Sequence, residues 1–416
     1  MAMKYITYAA IPLMAASLST HAVTVDQLNK QVQKLNQRIA AADQRFRVNG
    51  FASFGLVQSD IPEGYHRTVS DDINFRRYTK AGIQMTFNLD SDTAVITQLV
   101  SKGENDFETK AEWMYLKHNL GNGFTAKIGR LRKPNYLLSE YFDVGYAMPW
   151  TQAPVEVYGV LESSANFEAV DLSYDMDLTD DWTATAQIQY GRAETSEIVS
   201  KDLIAMNFTA TDGELTLRAG YSQADAAVVA GSETDVLVTS VNTAFSFTDK
   251  AANVAEAANK GVFWGVATMY DNGDMLAIAE FNSLTVDSLF ADQDGYYLMY
   301  GYRFGQWMPY VTLAHEETTD DEERNATVSP TPAVPDANLN GVSDIYEGVI
   351  GAQTAFNKEQ DRTALGVRYD LKPGVALKLQ YDMVDTNKTV GEFDDPAAIP
   401  ADGKVNVLSF TIDTVF

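Results

Sequence analysis

Short segments with a two-residue period of apolar and polar side chains recur along the whole chain, and the connections between them alternate in length. In VALKLQYDM (375–383) apolar residues occupy every second position, and WTATAQIQY (182–190) repeats the pattern, as expected for strands with two unlike faces. We predict short turns at 89–92, 120–123, 178–181, 211–213, 271–274, 304–306 and 371–374. We predict long connections at 58–76, 101–110, 132–165, 191–201, 223–260, 284–292, 317–360 and 386–403.

This alternation of connection lengths separates two all-β architectures that share the same periodicity. A secreted β-sandwich hides its apolar face, and nothing in it requires short and long connections to alternate. A transmembrane barrel shows that face to lipid and has brief turns on one side and extended loops on the other. Seven short turns and eight long connections predict a sixteen-stranded antiparallel transmembrane β-barrel with both ends in the periplasm. The aromatic residues of GYYLMYGYRFGQWMPY (295–310) surround one short turn, as expected at a membrane interface.

The first 22 residues are typical of a secretory signal peptide. Lys4 precedes an apolar stretch from residue 5 to 18, and Thr20, His21 and Ala22 form a small-residue cleavage site. The apolar stretch is short for a membrane anchor, so we predict cleavage after Ala22. The exported chain has no cysteine, which excludes disulfides and thiolate metal sites. The formal net charge of the full chain, −26, argues against nucleic acid as a partner.

The segment DVLVTSVNTAFSF (235–247) has the pattern of a strand but does not fit the barrel count. If it crossed the membrane, the long connection at 317–360 would fall on the periplasmic side. We therefore predict that it belongs to a structured outer loop, followed by a short Ala-rich helix near 249–260. The competing prediction is an eighteen-stranded barrel in which another strand has been missed.

The chain ends on LSFTIDTVF, a period-two strand that runs to Phe416. Together with the signal peptide and the alternating loops, this ending resembles that of the trimeric outer-membrane porins of Gram-negative bacteria, over essentially the whole mature chain. The resemblance implies a homotrimer in outer-membrane lipid and lipopolysaccharide, with Phe416 as the signal that the barrel assembly machinery recognises. It also implies that the last strand pairs with FRVNGFASFGL (46–56), which closes the sheet.

The stretch GRLRKPNYLLSEYFDVGYAMPWTQAPVEVYG (129–159) resembles the fifth strand and third loop of these porins, a loop that folds into the barrel and narrows it. In the family, basic strand residues face carboxylates of that loop across the constriction. By alternation alone, Phe124, Ala126 and Ile128 turn Arg130 toward lipid, which leaves its place in the set open. The candidate constriction residues are Arg76, Lys80, Lys117, Lys127, Arg130, Arg132, Glu140, Asp143 and Glu156, and further lumen candidates are Arg218, Arg303 and Arg368.

Residues 23–45 carry apolar side chains at spacings of three and four, which predicts a short periplasmic coiled-coil helix before the barrel domain at 46–416. This part resembles a porin subgroup with such a coiled coil, including dicarboxylate channels. The β-branched residues at one core position and Leu at the other favour two strands over three. The alternative is a single amphipathic helix that lies against the barrel floor.

The segment DANLNGVSDIYE (336–347) fits the spacing of a calcium-binding loop. Hard cations need several oxygen ligands from one loop, and Gly341 permits the sharp turn. Ser343 occupies a place that is usually aliphatic, and no flanking helices are evident, so a polar turn with chance spacing is the alternative. The predicted ligands are Asp336, Asn338, Asn340, Val342, Asp344 and Glu347.

No enzymatic motif stands out: the histidines show no metal spacing, and there is no G-x-S-x-G elbow. We predict a non-enzymatic outer-membrane channel that passes small polar solutes and ions down their gradients and requires no cofactor, with calcium as a possible ligand of the outer loop. Two alternatives remain open. One is a channel selective for anions, dicarboxylates or phosphate, and the other is a structural envelope tether that acts through residues 23–45.

Overall fold

A computed structural model describes residues 45–62, 64–66, 69–161, 166–194, 198–229, 245–247, 259–286, 291–320, 328–330, 357–387, 389, 391–393 and 399–416. The predicted signal peptide, the coiled coil apart from its last residue, the calcium loop at 336–347 and the Ala-rich helix near 249–260, apart from its last two residues, lie outside the described residues. Within the described ranges, none of the helices has the length and apolar character of a membrane span.

Sixteen strands form one closed barrel in which every neighbouring pair is antiparallel, which confirms the predicted sixteen-stranded antiparallel barrel. In the barrel, strands follow the chain order, except that β10 and β15 are left out and form a separate two-stranded sheet. The strands are β1 (Phe46–Ser59), β2 (Lys80–Asn88), β3 (Thr93–Lys102), β4 (Thr109–Gly121), β5 (Phe124–Arg132), β6 (Asn166–Asp177), β7 (Thr183–Glu194), β8 (Ile198–Thr211), β9 (Leu215–Val228), β10 (Phe245–Phe247), β11 (Asn259–Asp271), β12 (Met275–Val286), β13 (Gln293–Tyr302), β14 (Trp307–Thr318), β15 (Val328–Pro330), β16 (Glu359–Lys372), β17 (Val375–Asp385) and β18 (Lys404–Val415).

The two faces of each strand meet different surroundings. On β17, Leu379 and Tyr381 are exposed on the outside of the barrel, whereas Lys378 and Gln380 between them are buried. On β7 the exposed residue Ile188 alternates with the buried residue Gln189. Large apolar side chains thus cover the outside of the barrel, and on these strands the polar or charged residues face inward. A soluble protein rarely exposes so extensive an apolar surface, so this arrangement fits a barrel surrounded by lipid.

The predicted closure between the two ends of the barrel is confirmed. β1 pairs with β18 in a register that places Phe51 opposite Val415. Beyond the last paired residues, Gly50 N–H donates to the carbonyl of Phe416 at 2.7 Å, and Phe416 N–H donates to the carbonyl of Gly50 at 2.9 Å. Because this pairing supplies hydrogen-bond partners to the backbone of both the first and the last strand, the sheet has no open edge between them.

The seven short turns lie where the sequence predicts them, between consecutive barrel strands. Asp212 accepts backbone N–H bonds from the two residues that follow Gly213, and Asn272 does the same around Gly273. Gly213 and Gly273 have φ values of +97° and +91°, which residues with a Cβ rarely adopt. Turn-forming side chains followed by glycine therefore fix the hairpins at one end of the barrel.

The strand-like segment at 235–247 contributes only β10 to the described structure, and β10 pairs with β15 outside the barrel wall. Phe245 pairs with Pro330 and Phe247 with Val328, so the two long connections before β11 and β16 meet in this small sheet. The assignment of this segment to a structured outer connection is confirmed for residues 245–247. The competing eighteen-stranded barrel is wrong, since the closed wall has sixteen strands.

Candidate functional site

The connection from β5 to β6, described for residues 133–161, lies against the inner wall of the barrel. Trp150 donates from Nε1 to Thr312 Oγ1 on β14 at 2.8 Å, and Arg362 on β16 donates to Glu156 at 2.9 Å. Lys378 on β17 reaches the carbonyl of Gly145 at 2.6 Å. A connection that leaves β5 and binds inward-facing side chains of β14, β16 and β17 lies inside the barrel. We call residues 133–161 the inner segment.

One side of the inner segment packs on an apolar part of the wall. Tyr158 donates to Glu280 at 2.7 Å, and the backbone N–H of Leu137 also donates to Glu280, at 2.8 Å. The surrounding buried side chains come from the inner segment and from β11 to β14, and we call them the apolar interior cluster. Its members are Tyr136, Leu137, Leu138, Met148, Trp150, Ala153, Val157, Tyr158, Phe263, Leu276, Ile278, Tyr297, Met299, Met308, Tyr310 and Ala314.

The other side of the inner segment is held by two cations that bind backbone carbonyls. Lys378 Nζ lies 2.6 Å from the carbonyl oxygen of Gly145 and 2.9 Å from that of Trp150. Arg368 Nη1 donates to the carbonyls of Tyr146 and Met148 at 2.7 and 2.9 Å. We call this arrangement the carbonyl clamp. The two cations thus fix four carbonyls within residues 145–150, and Asp413 lies 2.9 Å from the Lys378 ammonium.

Asp143 of the inner segment lies between two cations, the predicted Arg132 and Lys102 beside it. Its carboxylate is 2.8 Å from Lys102 Nζ and 2.6 Å from Arg132 Nη2, and Arg132 also binds Glu112 at 2.7 Å. Burial acts to raise the pKa of Asp143, but the charges of Arg132 and Lys102 outweigh it and hold that pKa well below its usual range. Asp143 is therefore ionised throughout the neutral and mildly acidic range.

The other two predicted carboxylates of the inner segment also meet cations of the wall. Glu156 is fully buried and accepts bonds from Arg362 Nε at 2.9 Å and Gln360 Nε2 at 2.7 Å. Glu140 is about half exposed and lies 3.6 Å from Arg218, which also donates to the carbonyl of Pro134 at 3.0 Å. All three carboxylates thus face basic residues that project inward from the strands.

The opposite wall, from β4 to β9, carries charges and amides that the inner segment touches less. Lys117 pairs in register with Lys127, and Lys127 pairs with Asp171, whose carboxylate lies 3.5 Å from the Lys127 ammonium. Directly paired residues of antiparallel strands share a face, so all three point inward. Gln189 donates to Asp171 at 2.9 Å. Around these residues the wall is hydrophilic, whereas at its long-connection end Leu131, Phe167 and Leu203 belong to a buried apolar cluster.

Three of the predicted residues lie elsewhere. Arg130 points outward, as strand alternation requires, and pairs at 2.5 Å with Glu168; their side chains are 40% and 60% exposed. Its placement in the constriction is therefore corrected. Arg76 precedes β2 and binds the exposed Asp106, so it is not a strand residue. Arg303 lies at the short-turn end and binds Asp271 at 2.6 and 2.9 Å.

Sequence reasoning missed several inward cations that hold the inner segment and the outer connections. Lys378 occupies the polar face of VALKLQYDM, and Arg362 occupies the equivalent face of β16, so alternation was the available signal for both. Arg77, which forms a buried ion pair with Glu104, follows Arg76 before β2 and had no periodic signal. The apolar inward residues of β12 were also missed, since Leu276 and Ile278 alternate with alanines rather than with polar residues.

A small cavity of about 70 Å³ lies between the inner segment and the wall formed by β1 to β3. Lys80 and Lys102 line it on the wall side, and Asp143 and Phe142 line it on the segment side. Lys80 thus lies in the region that the sequence assigns to it. Among the residues that the structure describes, no group of three or more His, Asp or Glu side chains has the arrangement of a metal site.

Structural comparison places the barrel beside solved outer-membrane porins, whereas no protein-family model and no curated protein sequence matches the chain. A loop-deletion form of OmpT from Vibrio cholerae, an outer membrane protein, is 13% identical and has a TM-score of 0.53, with 89% of this chain and 100% of that chain covered. An anion-selective porin from Comamonas acidovorans has 12% identity and a TM-score of 0.55, with 89% and 99% covered. Salmonella typhi OmpF in complex with daunomycin has 11% identity and a TM-score of 0.54, with 89% and 98% covered. At these identities the similarity is one of fold.

Proposed function

We propose that the chain is an outer-membrane porin, a water-filled channel through which small hydrophilic solutes and ions diffuse passively. The apolar outer face fits a membrane-spanning barrel, and the charged inner face fits a hydrated path through it. Neighbouring folds in the outer membrane of Gram-negative bacteria support the same location and the same class of function.

The observation that carries the proposal is the arrangement of charge within the barrel. Lys117, Lys127 and Asp171 face inward from the β4 to β6 wall, and the half-exposed Glu140 of the inner segment lies beside Arg218. Charged groups that are only partly paired are stable in water and costly in a dry interior. We infer that water fills the space beside them and that the inner segment narrows this space into a constriction.

An anion-selective channel is the second candidate, because two adjacent lysines, Lys117 and Lys127, face the same part of the interior with one carboxylate beside them. One structural neighbour is described as an anion-selective porin. Dicarboxylates and phosphate would be suitable solutes for such a path. Several properties remain predictions of the sequence: the homotrimer, the contacts with lipopolysaccharide and the assembly machinery, the non-enzymatic character, the calcium loop and the envelope tether at 23–45. For the homotrimer, one structural neighbour is described as a trimer form.

Single-channel recording in planar lipid bilayers tests the proposal. The purified full-length mature chain should produce steps of conductance that scale with salt concentration, as expected for a water-filled path. Reversal potentials in a gradient of potassium chloride then distinguish an anion-selective channel from a non-selective one. Protein that inserts into the bilayer without any conductance, while retaining its folded β-structure, would exclude the channel.

A further inference from the structure

His66 joins three parts of the chain that are far apart in sequence. It lies in the connection between β1 and β2, and its Nδ1 is 2.9 Å from Glu392 Oε2 in the connection between β17 and β18. Its Nε2 is 2.8 Å from Arg77 Nη2 and 2.7 Å from Gln152 Nε2 of the inner segment. The backbone N–H of His66 also donates to the carbonyl of Glu392 at 2.7 Å. A single imidazole thus links two outer connections to the inner segment.

The partners of His66 determine the protonation state that this arrangement needs. A guanidinium nitrogen can only donate a hydrogen bond, so His66 Nε2 has to accept from Arg77. The remaining proton of the neutral ring is then on Nδ1 and is donated to the carboxylate of Glu392. In the imidazolium form, Nε2 also carries a proton, which removes the acceptor for Arg77 and Gln152 and places two cations in contact. The observed geometry therefore requires neutral His66.

The charges around His66 act on it in opposite directions. Burial and Arg77 disfavour the protonated ring, and Glu392 favours it. Burial acts to raise the pKa of Glu392 itself, but Lys358 and the hydrogen bond from His66 hold that pKa well below its usual range, so the carboxylate is present. The titratable or charged groups that face this region are Tyr65, Arg77 and Glu104 from the first connection and the start of the next, Glu156 from the inner segment, Glu316 and Arg362 from the wall, and Lys358 and Glu392 from the outer connections.

We propose that His66 is a pH-sensitive latch, which holds the inner segment to the outer connections when neutral and releases it when protonated. The inference rests on the proposed channel function, since the inner segment is the element whose movement would change conductance. Imidazole is the side chain whose ordinary pKa, about 6.5, lies nearest neutrality, so the transition is sought on the acid side of neutral pH. Release should appear as more frequent transitions between conductance levels in acid.

The test records single channels of the full mature chain between pH 7.5 and 5. We expect the rate of transitions to rise by about tenfold, the factor that loss of one hydrogen bond to a charged group would produce. His66→Gln should abolish this dependence on pH. Glu392→Gln should move its midpoint to lower pH, because the carboxylate that favours the protonated ring is gone. Gln152→Leu should uncouple the inner segment and leave the rate nearly independent of pH.

His315→Gln is the matched control, since His315 points outward on β14 and lies 2.9 Å from Asp361. That variant should retain the full response of the wild type. A wild-type rate that is constant from pH 7.5 to 5, or a response that survives in His66→Gln, would overturn the latch while the channel itself remained. A chain without conductance at any pH would instead overturn the proposed function.

Discussion

The two sides of the inner segment are held by different physical means. On the β11 to β14 side, aromatic and aliphatic side chains of the apolar interior cluster bury it. On the β16 to β18 side, the cations of the carbonyl clamp hold residues 145–150, and Arg362 holds Glu156. Apolar contacts resist displacement over a broad area but have little directional preference, whereas charge-assisted hydrogen bonds fix single atoms. We therefore expect the first side to supply most of the stabilisation of the inner segment and the second side to set the position of its backbone.

This division separates inward cations into two groups with different consequences for the proposed channel. Arg368 and Lys378 are occupied by backbone carbonyls and by Asp370 and Asp413, so they contribute little free charge to a passing ion. Lys117 and Lys127 project from the wall that the inner segment covers less. Changes in the first group should alter how the inner segment is held, and changes in the second should alter which ions pass.

The largest effect is expected for the apolar side. Trp150→Ala removes a buried indole and its bond to Thr312, and such truncations cost about 3–5 kcal/mol. We expect a lower free energy of unfolding in urea, measured in lipid vesicles, and a larger mean conductance because the inner segment loses its anchor. Tyr141→Ala, at an exposed position of the same segment, is the control and should change neither quantity. Equal stability of Trp150→Ala and wild type would contradict the importance of the apolar side.

A smaller loss of stability and a more specific effect are expected for the clamp. Arg368→Met removes the donor to the carbonyls of Tyr146 and Met148, which we expect to cost about 2–3 kcal/mol in the same unfolding measurement. Single channels of this variant should fluctuate more, because residues 145–150 lose two fixed points. Arg303→Met, at an arginine that binds Asp271 at the short-turn end, should leave the fluctuations unchanged. If single channels of Arg368→Met fluctuate no more than those of the wild type, the apolar side alone positions the inner segment.

The wall opposite the clamp should control ion preference. Replacing Lys117 and Lys127 by Gln removes two inward charges, and we expect the reversal potential in a salt gradient to shift toward cations. Lys117→Gln alone should change the free energy of unfolding by less than about 0.5 kcal/mol, as for most exposed substitutions. Lys127→Gln should lower it further, because the buried carboxylate of Asp171 loses its ion pair. Arg130→Gln, three residues from Lys127 but outward-facing, should not shift the potential. A shift of equal size in that variant would contradict the assignment of inward and outward faces.

The smallest effect is expected for the pH dependence of the stabilisation that Asp143 provides. A carboxyl group whose pKa is depressed in the folded state stabilises it above the unfolded pKa, and this contribution is lost only as pH falls through the depressed value. The pKa of Asp143 is held below its usual range, so the difference in unfolding free energy between wild type and Asp143→Asn should be the same at pH 7 and pH 5 within about 0.5 kcal/mol. A difference that disappears by pH 5 would show that Arg132 and Lys102 do not stabilise the carboxylate.

The wall of the barrel is predictable from the sequence, because each strand has two unlike faces and each short turn has its own chemistry. Leu379 and Lys378 are assigned to opposite sides by position alone, and Gly213 marks its hairpin. The partners of the inner segment are not predictable in this way. Leu276 and Ile278 face inward beside outward alanines, so both faces of β12 look apolar, and the side chains that cover them lie more than a hundred positions earlier in the chain.

The same limit explains the outcomes for individual charges. Alternation gave the inward position of Arg218 and the outward position of Arg130, whereas Arg76 was assigned to a strand that begins only at Lys80. Residues at the ends of strands, such as Arg132, depend on how the next connection turns. His66 lies in a connection without any periodicity, and its partners Glu392 and Gln152 come from distant segments, so no local pattern could have indicated its role.

The span between the inner segment and its anchors has a consequence for the order of assembly. Leu137 binds a residue 143 positions later in the chain, Glu156 binds one 206 positions later, and the carbonyl of Gly145 binds one 233 positions later. During synthesis these anchors emerge long after the inner segment itself, so the segment has no lasting site until the second half of the wall arrives. The inner segment, with four tyrosines and one tryptophan, must stay protected from aggregation during that interval. It also has to be enclosed before the first and last strands pair to close the barrel.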